Sequence, residues 1–187
     1  MHTGLEIGFA LDRRWHFLRG EMESSKRPAL VTVARALTDA GVPYAIIGGI
    51  AVQVHTQEPR TTLDIDIAVH RRDSLPAQAF LAQGLVPSGE HPHSSNWQSA
   101  DGTPIQFTDD PALGPAIARA IEVPLDSITL HVLAKPDLLR EKLRAGGDPA
   151  WRRSKRLHDL ADAERLLEED ATLEALLTAQ ERLLLSR

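Results

Sequence analysis

Ile46-Ile47-Gly48-Gly49-Ile50-Ala51, followed by Arg60-Thr61-Thr62-Leu63-Asp64-Ile65-Asp66, decides the fold of this chain. Tyr44-Ala45-Ile46-Ile47 is a short apolar run that favours a strand, Gly48-Gly49 ends it, and Ile50 to Thr56 begins a helix. Asp64 to Val69 then alternates polar and apolar residues at period two, which predicts a strand with one buried face and sets Asp64 and Asp66 on the same side. Strand, glycine turn, helix and Asp-x-Asp strand in succession put the turn and the two carboxylates at adjacent ends of neighbouring strands.

Taken singly, Gly-Gly is a tight turn and Asp-x-Asp a solvated strand face. Their combination is more specific. A glycine turn that opens a helix lets backbone amides approach phosphate closely, and the helix N-terminus favours anions. Carboxylates two apart on a strand converge on a hard cation, and magnesium held by one or two carboxylates completes its shell with substrate phosphate oxygens. The two devices together suit a magnesium nucleotide.

Working upstream, Pro28 fits a first helical position, and Leu30, Val31, Val33, Ala34, Leu37 and Ala40 recur at helical spacing up to Gly41. Residues 5 to 27 are amphiphilic and predict a peripheral helix closed by a Ser24-Ser25-Lys26-Arg27-Pro28 turn. Downstream, a helix is expected over Leu75 to Gln83, and strands over Asn96 to Ser99, Pro104 to Thr108 and Ser127 to Leu133. The last third is helical in period over Lys135 to Ala145, Trp151 to Glu169 and the leucine-rich stretch Ala171 to Leu185, with Gly146-Gly147-Asp148-Pro149 as a turn. The expected class is α+β, a mixed-sheet core flanked by helices with a C-terminal helical cap. Residues 1–27 form a peripheral segment, 28–134 the core and 135–187 the helical region.

Composition bounds the chemistry. The chain has 187 residues, 42% hydrophobic and 25% charged, as a self-folding globular domain does. It contains no cysteine, which excludes disulfides, zinc–thiolate sites and cysteine nucleophiles, so a metal here needs oxygen or imidazole ligands. The uncharged run Val42 to Gln57 is too short and polar to span a bilayer, and Met1 to Phe17 lacks the order of a secretory signal. No membrane association and a cytoplasmic address are expected. A net charge of -5 argues against generic nucleic-acid binding. Charge is segregated, however: Arg140, Lys142, Arg144, Arg152, Arg153, Lys155 and Arg156 face only Glu141 and Asp148 over the same stretch. This cluster is either a solvated face or a patch for RNA or nucleotide phosphate.

The Gly48-Gly49 segment and Arg60-x-Thr62-x-Asp64-x-Asp66 resemble the nucleotidyltransferase superfamily (polymerase beta-like fold), of the AbiEii/AbiGii toxin type. A second match, Glu141-Lys142-Leu143-x-Ala145 with Ser154-Lys155-Arg156-x-x-Asp159-Leu160-x-Asp162, is similar to that family's lysine helix and Lys-x-x-Asp helix. The likeness covers roughly residues 30 to 168. It implies that Gly48 and Gly49 face a triphosphate with Arg60 and Thr62 on the nucleotide side, and that Asp64 and Asp66 bind one or two magnesium ions. It also implies that Lys142 contacts phosphate and that Asp159 acts near the nucleotide.

The superfamily usually adds a third carboxylate on a later strand, as metal ligand and base. Here that strand reads Thr103-Pro104-Ile105-Gln106-Phe107-Thr108. Gln106 retains an oxygen for metal or nucleotide but brings no charge and accepts no proton at neutral pH. Asp109-Asp110 follows, as a turn cap before Pro111 or as a replacement acid. Gly49 also stands where many relatives carry serine. His91-Pro92-His93 reads as a solvated loop rather than a metal site, and His131 and His158 fall in regular elements. Trp97 and Trp151 serve either as packing anchors or as base-stacking rings.

The resemblance implies nucleotidyl transfer from a nucleoside triphosphate to an acceptor hydroxyl on tRNA or protein, as the toxin of a toxin–antitoxin pair with a cognate antitoxin. The alternatives are a small-molecule acceptor of the aminoglycoside type, or a nucleotide- or RNA-binding regulator of the same fold disabled by Gln106.

Overall fold

The computed structural model describes residues 3–20, 25–57 and 60–186; Ser24 of the expected turn lies outside them. In chain order the elements are α1 (Thr3–Leu18), α2 (Arg27–Asp39), β1 (Tyr44–Ile47), α3 (Gly48–His55), β2 (Ile65–Val69) and α4 (Ala77–Ala82). They continue with β3 (Val86–His91), β4 (Ser94–Gln98), β5 (Pro104–Thr108), α5 (Gly114–Ile117), β6 (Ile121–Leu125), β7 (Ile128–Val132), α6 (Lys135–Gly147), α7 (Arg153–Glu169) and α8 (Ala179–Leu185).

The seven strands form one mixed sheet in the order β3-β4-β5-β2-β1-β7-β6. β1 runs antiparallel to β2 and parallel to β7, and β2 runs parallel to β5. All four residues of β1 are buried, because helices cover this central strand, and an apolar run without alternation is what such a strand requires. Ile46, Ile65, Ile67, Ile105, Phe107, Leu130 and Val132 fill the middle of the core. Phe80 of α4 stacks on Phe107 at 5.4 Å and meets Trp97 edge-on at 5.2 Å, which makes Trp97 a packing anchor.

Two edge strands were not expected: β3 carries no apolar alternation, and the alternation of Ile121, Val123 and Leu125 in β6 is interrupted by Pro124. β3, with Pro87 and Gly89, is mostly exposed and is held by antiparallel pairing to β4, with an irregularity between Pro87 and Gly89. β6 tolerates Pro124 for the same reason, since an edge strand leaves one side of its backbone unpaired. His91 and His93 flank the β3–β4 hairpin turn and are exposed.

The leucine-rich C-terminal helix is corrected by the structure: it is a 3₁₀ segment, Ala171–Leu176, followed by the separate helix α8. Asp170 leaves helical geometry and its side chain caps Thr172, while Thr178 and Glu181 form a reciprocal capping box that starts α8 afresh. Leu173 is buried in the core, whereas Leu176 and Leu183 stay exposed.

The N-terminal helix, expected at the periphery, buries Leu5 and Phe9 and packs against α3. Glycines make this approach possible. A Cβ at Gly4 would lie 1.9 Å from the Gln53 carbonyl oxygen, and one at Gly8 would lie 2.5 Å from the Gln53 side-chain nitrogen. The buried pair Lys26–Asp12, at 2.5 Å, fastens α1 to the start of α2. No described helix is long and apolar enough to cross a membrane.

Candidate active site

β1 ends directly in α3, with Ile47 extended at the N-cap and Gly48 in the left-handed region at φ 62°, a conformation that glycine adopts without steric cost. Asp66 of the neighbouring strand pairs in register with Ile47, so its carboxylate comes up beside the turn. The approach leaves no room for a side chain: a Cβ on Gly48 would lie 2.1 Å from Asp66 Oδ2.

Around this turn the structure gathers Gly48, Gly49, Arg60, Thr62, Asp64, Asp66, Lys142, Arg152, Ser154, Lys155, His158 and Asp159 into one open cleft of about 190 Å³. Asp64 lies just before β2, and its Oδ1 accepts a 3.1 Å hydrogen bond from the Thr62 hydroxyl. Gln106 of β5 stands in register beside Asp66, at the expected position of a third acid, but is exposed and does not line the cleft. Asp109 and Asp110 are committed elsewhere. Asp109 pairs with Arg72 at 3.0 Å, and Asp110 caps Ala112 while pairing with Arg144 at 2.7 Å.

A network of buried charge backs the cleft. Lys142 donates to Asp159 at 2.8 Å and pairs with Asp162 at 3.1 Å. Asp162, with 0% exposure, also receives both Nε and a terminal nitrogen of Arg60, at 2.8 and 2.9 Å. The sequence assigned no role to Asp162. It lies three residues after Asp159 and therefore shares its helix face, but its partner Arg60 is 102 residues away. Gln53 was also missed; its side-chain nitrogen donates to the Arg60 carbonyl at 2.7 Å and holds the loop that precedes Thr62.

The second terminal nitrogen of Arg60, NH1, is buried without a partner. It sits where a Cβ on Gly49 would be, at 2.1 Å, with the Thr62 hydroxyl at 2.4 Å from that same point. Glycine at position 49 thus leaves the volume that a guanidinium and a hydroxyl fill. An unpaired guanidinium nitrogen beside the amides of a glycine turn is an anion-binding arrangement, because each buried donor left alone carries a desolvation cost that an anion removes.

Two carboxylates share the opposite side. Burial first, and then the negative charge of Asp64, push the Asp66 carboxyl up to about 7, with Lys142 acting in the other direction. A group so placed is stabilised by any cation between the two acids. No cluster of three or more acidic or imidazole side chains is placed to hold a metal among the described residues. The pair alone fits magnesium, which takes one or two carboxylates and completes its shell with phosphate and water. Asp64 and Asp66 are the residues that would hold it.

Arg152 and Lys155 of the basic cluster line the cleft, whereas Arg156 donates to the Gly146 carbonyl at 3.0 Å and closes the end of α6. Glu141 lies beside this network with Oε2 buried and unpartnered, and burial raises its carboxyl above the ordinary range.

No protein-family model matches the chain, and no curated protein matches it in sequence. Solved structures do. The chain is similar to an antigenic nucleotidyltransferase-like protein from Paracoccidioides brasiliensis, with TM-score 0.54 and 19% identity over 86% of this chain and 89% of that one. It is also similar to ANT(2″)-Ia in complex with adenylyl-2″-tobramycin, with TM-score 0.55 and 15% identity over 86% and 95% of the two chains. The lincosamide antibiotic adenylyltransferase LnuA, lincomycin-bound, matches with TM-score 0.53 and 13% identity over 74% and 96%. At these identities the likeness establishes the fold: this chain has the mixed-sheet nucleotidyltransferase fold.

Proposed function

We propose that the protein is a magnesium-dependent nucleotidyltransferase that passes a nucleotidyl group from a nucleoside triphosphate to an acceptor hydroxyl. One observation carries this assignment: Gly48-Gly49, Asp64, Asp66, Lys142 and the unpaired Arg60 nitrogen converge on a single cleft in a chain of nucleotidyltransferase fold. The acceptor oxygen bonds to the α-phosphorus and releases its proton to water, the bond from phosphorus to the bridging oxygen breaks, and pyrophosphate leaves with that electron pair. The protein's task is positioning and charge neutralisation rather than covalent chemistry.

In this assignment the backbone amides of the glycine turn, Arg60 and Lys142 hold the phosphates, and Thr62 orients Asp64 through its hydroxyl. Asp64 and Asp66 hold magnesium, which supplies neutralisation of the phosphate charge and alignment of the reacting oxygens. Asp159 fixes the Lys142 ammonium at the cleft wall.

The acceptor follows from two different lines of support. ANT(2″)-Ia is bound to an adenylylated aminoglycoside and LnuA to lincomycin, which favours a small-molecule hydroxyl. The motif likeness to the AbiEii/AbiGii type favours tRNA or protein, with a cognate antitoxin as partner. A second assignment, a nucleotide- or RNA-binding regulator that no longer catalyses, is favoured by the neutral Gln106 in register with Asp66.

The deciding experiment incubates the pure protein with each α-labelled nucleoside triphosphate and magnesium, against total tRNA, the protein itself, and a panel of aminoglycosides and lincosamides. Asp66→Ala is the control. Label that reaches one acceptor class and vanishes in the variant supports the transferase and names the acceptor. Binding of nucleotide or of tRNA without transfer supports the regulator, and absence of binding to either rejects both.

A further inference from the structure

The cleft is walled for phosphate, and the flat surfaces within its lining are confined to the Arg60 and Arg152 guanidinium groups and the His158 imidazole. Its lining residues are glycine, charged, hydroxyl and imidazole groups, without one aliphatic or benzenoid side chain. A nucleobase needs a flat π surface or an apolar slot to leave water profitably.

Trp151 is outside the lining of the cleft but precedes the lining residue Arg152, packs its ring against the lining residue Lys155, and keeps 49% of its surface exposed. It does not serve as a packing anchor in the way Trp97 does, at 6% exposure. Yet it is fixed in place. Its backbone nitrogen donates to the Asp148 carbonyl at 3.2 Å, and the Lys155 ammonium lies 4.8 Å from the ring centroid, over one face. The same ammonium reaches Asp159 Oδ2 at 3.4 Å, and Asp159 Oδ1 holds Lys142 at 2.8 Å. Lys142 meets Asp162, and Asp162 holds Arg60, whose NH1 fills the space above Gly49. One unbroken line of contacts therefore runs from the glycine turn along the cleft wall to the Trp151 ring.

We propose, resting on the nucleotide assignment above, that Trp151 is the stacking shelf for the nucleobase of the bound triphosphate, with Lys155 bridging the shelf to the phosphate end. Because every base has a π face, such a shelf accepts all four bases and selects little among them. Specificity for one nucleotide does not come from this edge of the site.

The test separates base from phosphate. Binding of magnesium ATP and of magnesium tripolyphosphate is measured by calorimetry on the full chain, for the native protein, Trp151→Ala and Trp151→Phe. Trp151→Ala is expected to weaken ATP about tenfold, within the range of base–aromatic stacking, and to leave tripolyphosphate unchanged. Trp151→Phe recovers most of the loss. Being on an exposed turn, neither variant alters folding, and an unchanged melting temperature checks that. ATP affinity that is untouched by Trp151→Ala overturns the shelf while the nucleotide assignment stands. Equal weakening of ATP and tripolyphosphate also overturns it, since the residue then acts on the phosphate end. If the native protein binds neither ligand, the nucleotide assignment falls and the shelf with it.

Discussion

Asp66 and Gln106 face each other across the parallel β2–β5 pair: Asp66 lies directly opposite Gln106, as Ile65 does Ile105 and Ile67 does Phe107. An amide thus occupies the sheet position from which a third carboxylate would reach the same cation. Gln106→Asp is expected to leave stability within about 0.5 kcal/mol, because the site is exposed. If the chain transfers nucleotide, the rate rises at least tenfold, a part of the about hundredfold or more that a placed base contributes. Single-turnover transfer measured with and without the substitution checks this, and an unchanged rate removes Gln106 as the limiting feature.

The elevated Asp66 carboxyl makes metal-free stability depend on pH. Its folded value of about 7 exceeds the unfolded value of about 3.9, so between the two the folded chain carries a proton that the unfolded chain has released. Stability from this group is complete below the unfolded value and is lost as pH rises through about 7. Thermal melts in chelator are expected to fall across that window for the native chain. Asp66→Asn flattens the fall. Magnesium affinity follows the opposite course, rising through about pH 7 as the competing proton leaves.

Asp162 is fully buried and balances Arg60, Lys142 and Arg165 at once. Asp162→Ala strands the Arg60 guanidinium and leaves Lys142 with Asp159 alone, and is expected to cost about 3–5 kcal/mol in urea unfolding. Arg60→Met combined with Asp162→Ala costs less than the sum of the two single changes, because each single change alone strands its partner. Strict additivity would refute the hub.

Gly49→Ser tests the exchange of a hydroxyl for a guanidinium. The new Cβ would lie 2.1 Å from Arg60 NH1, so the arginine tip swings away from the turn. Fluorescence or calorimetric titration with tripolyphosphate is expected to show about tenfold weaker binding, equivalent to about 1.4 kcal/mol. Stability also falls, by about 1–3 kcal/mol, since the stiff Thr62 side chain, with its Cβ 2.6 Å from the new carbon, must shift as well. Unaltered affinity means that the serine hydroxyl replaces what the guanidinium supplied.

Gly8→Val drives a side chain into the Gln53 amide, 2.5 Å from the first added carbon, and strains its 2.7 Å bond to the Arg60 carbonyl. A loss of about 1–3 kcal/mol is expected from overpacking α1 against α3. Ala10→Val, on the exposed side of the same helix, serves as the comparison for the same introduced residue without the contact. Equal effects at both positions would show that the α1–α3 seam carries no special packing.

Sequence determined the centre of this protein. A four-residue apolar run, a glycine pair and alternating Asp-x-Asp were legible because strand period and glycine's freedom at positive φ are local properties, written in consecutive residues. The helices that carry Lys142 and Asp159 were legible through helical spacing, but the roles of those two residues came from the motif likeness, and Asp162 was given none. Tertiary structure alone decided the rest. β3 owes its existence to a neighbouring strand rather than to an apolar pattern of its own, β6 alternates but holds a proline that an edge position tolerates, and the leucine-rich tail broke at caps that outweighed its helical period. Arg60 meets Asp162 across 102 residues, and Gly8 meets Gln53 between two helices. Such contacts join distant segments only once the sheet has set where each helix lies, so no local pattern encodes them.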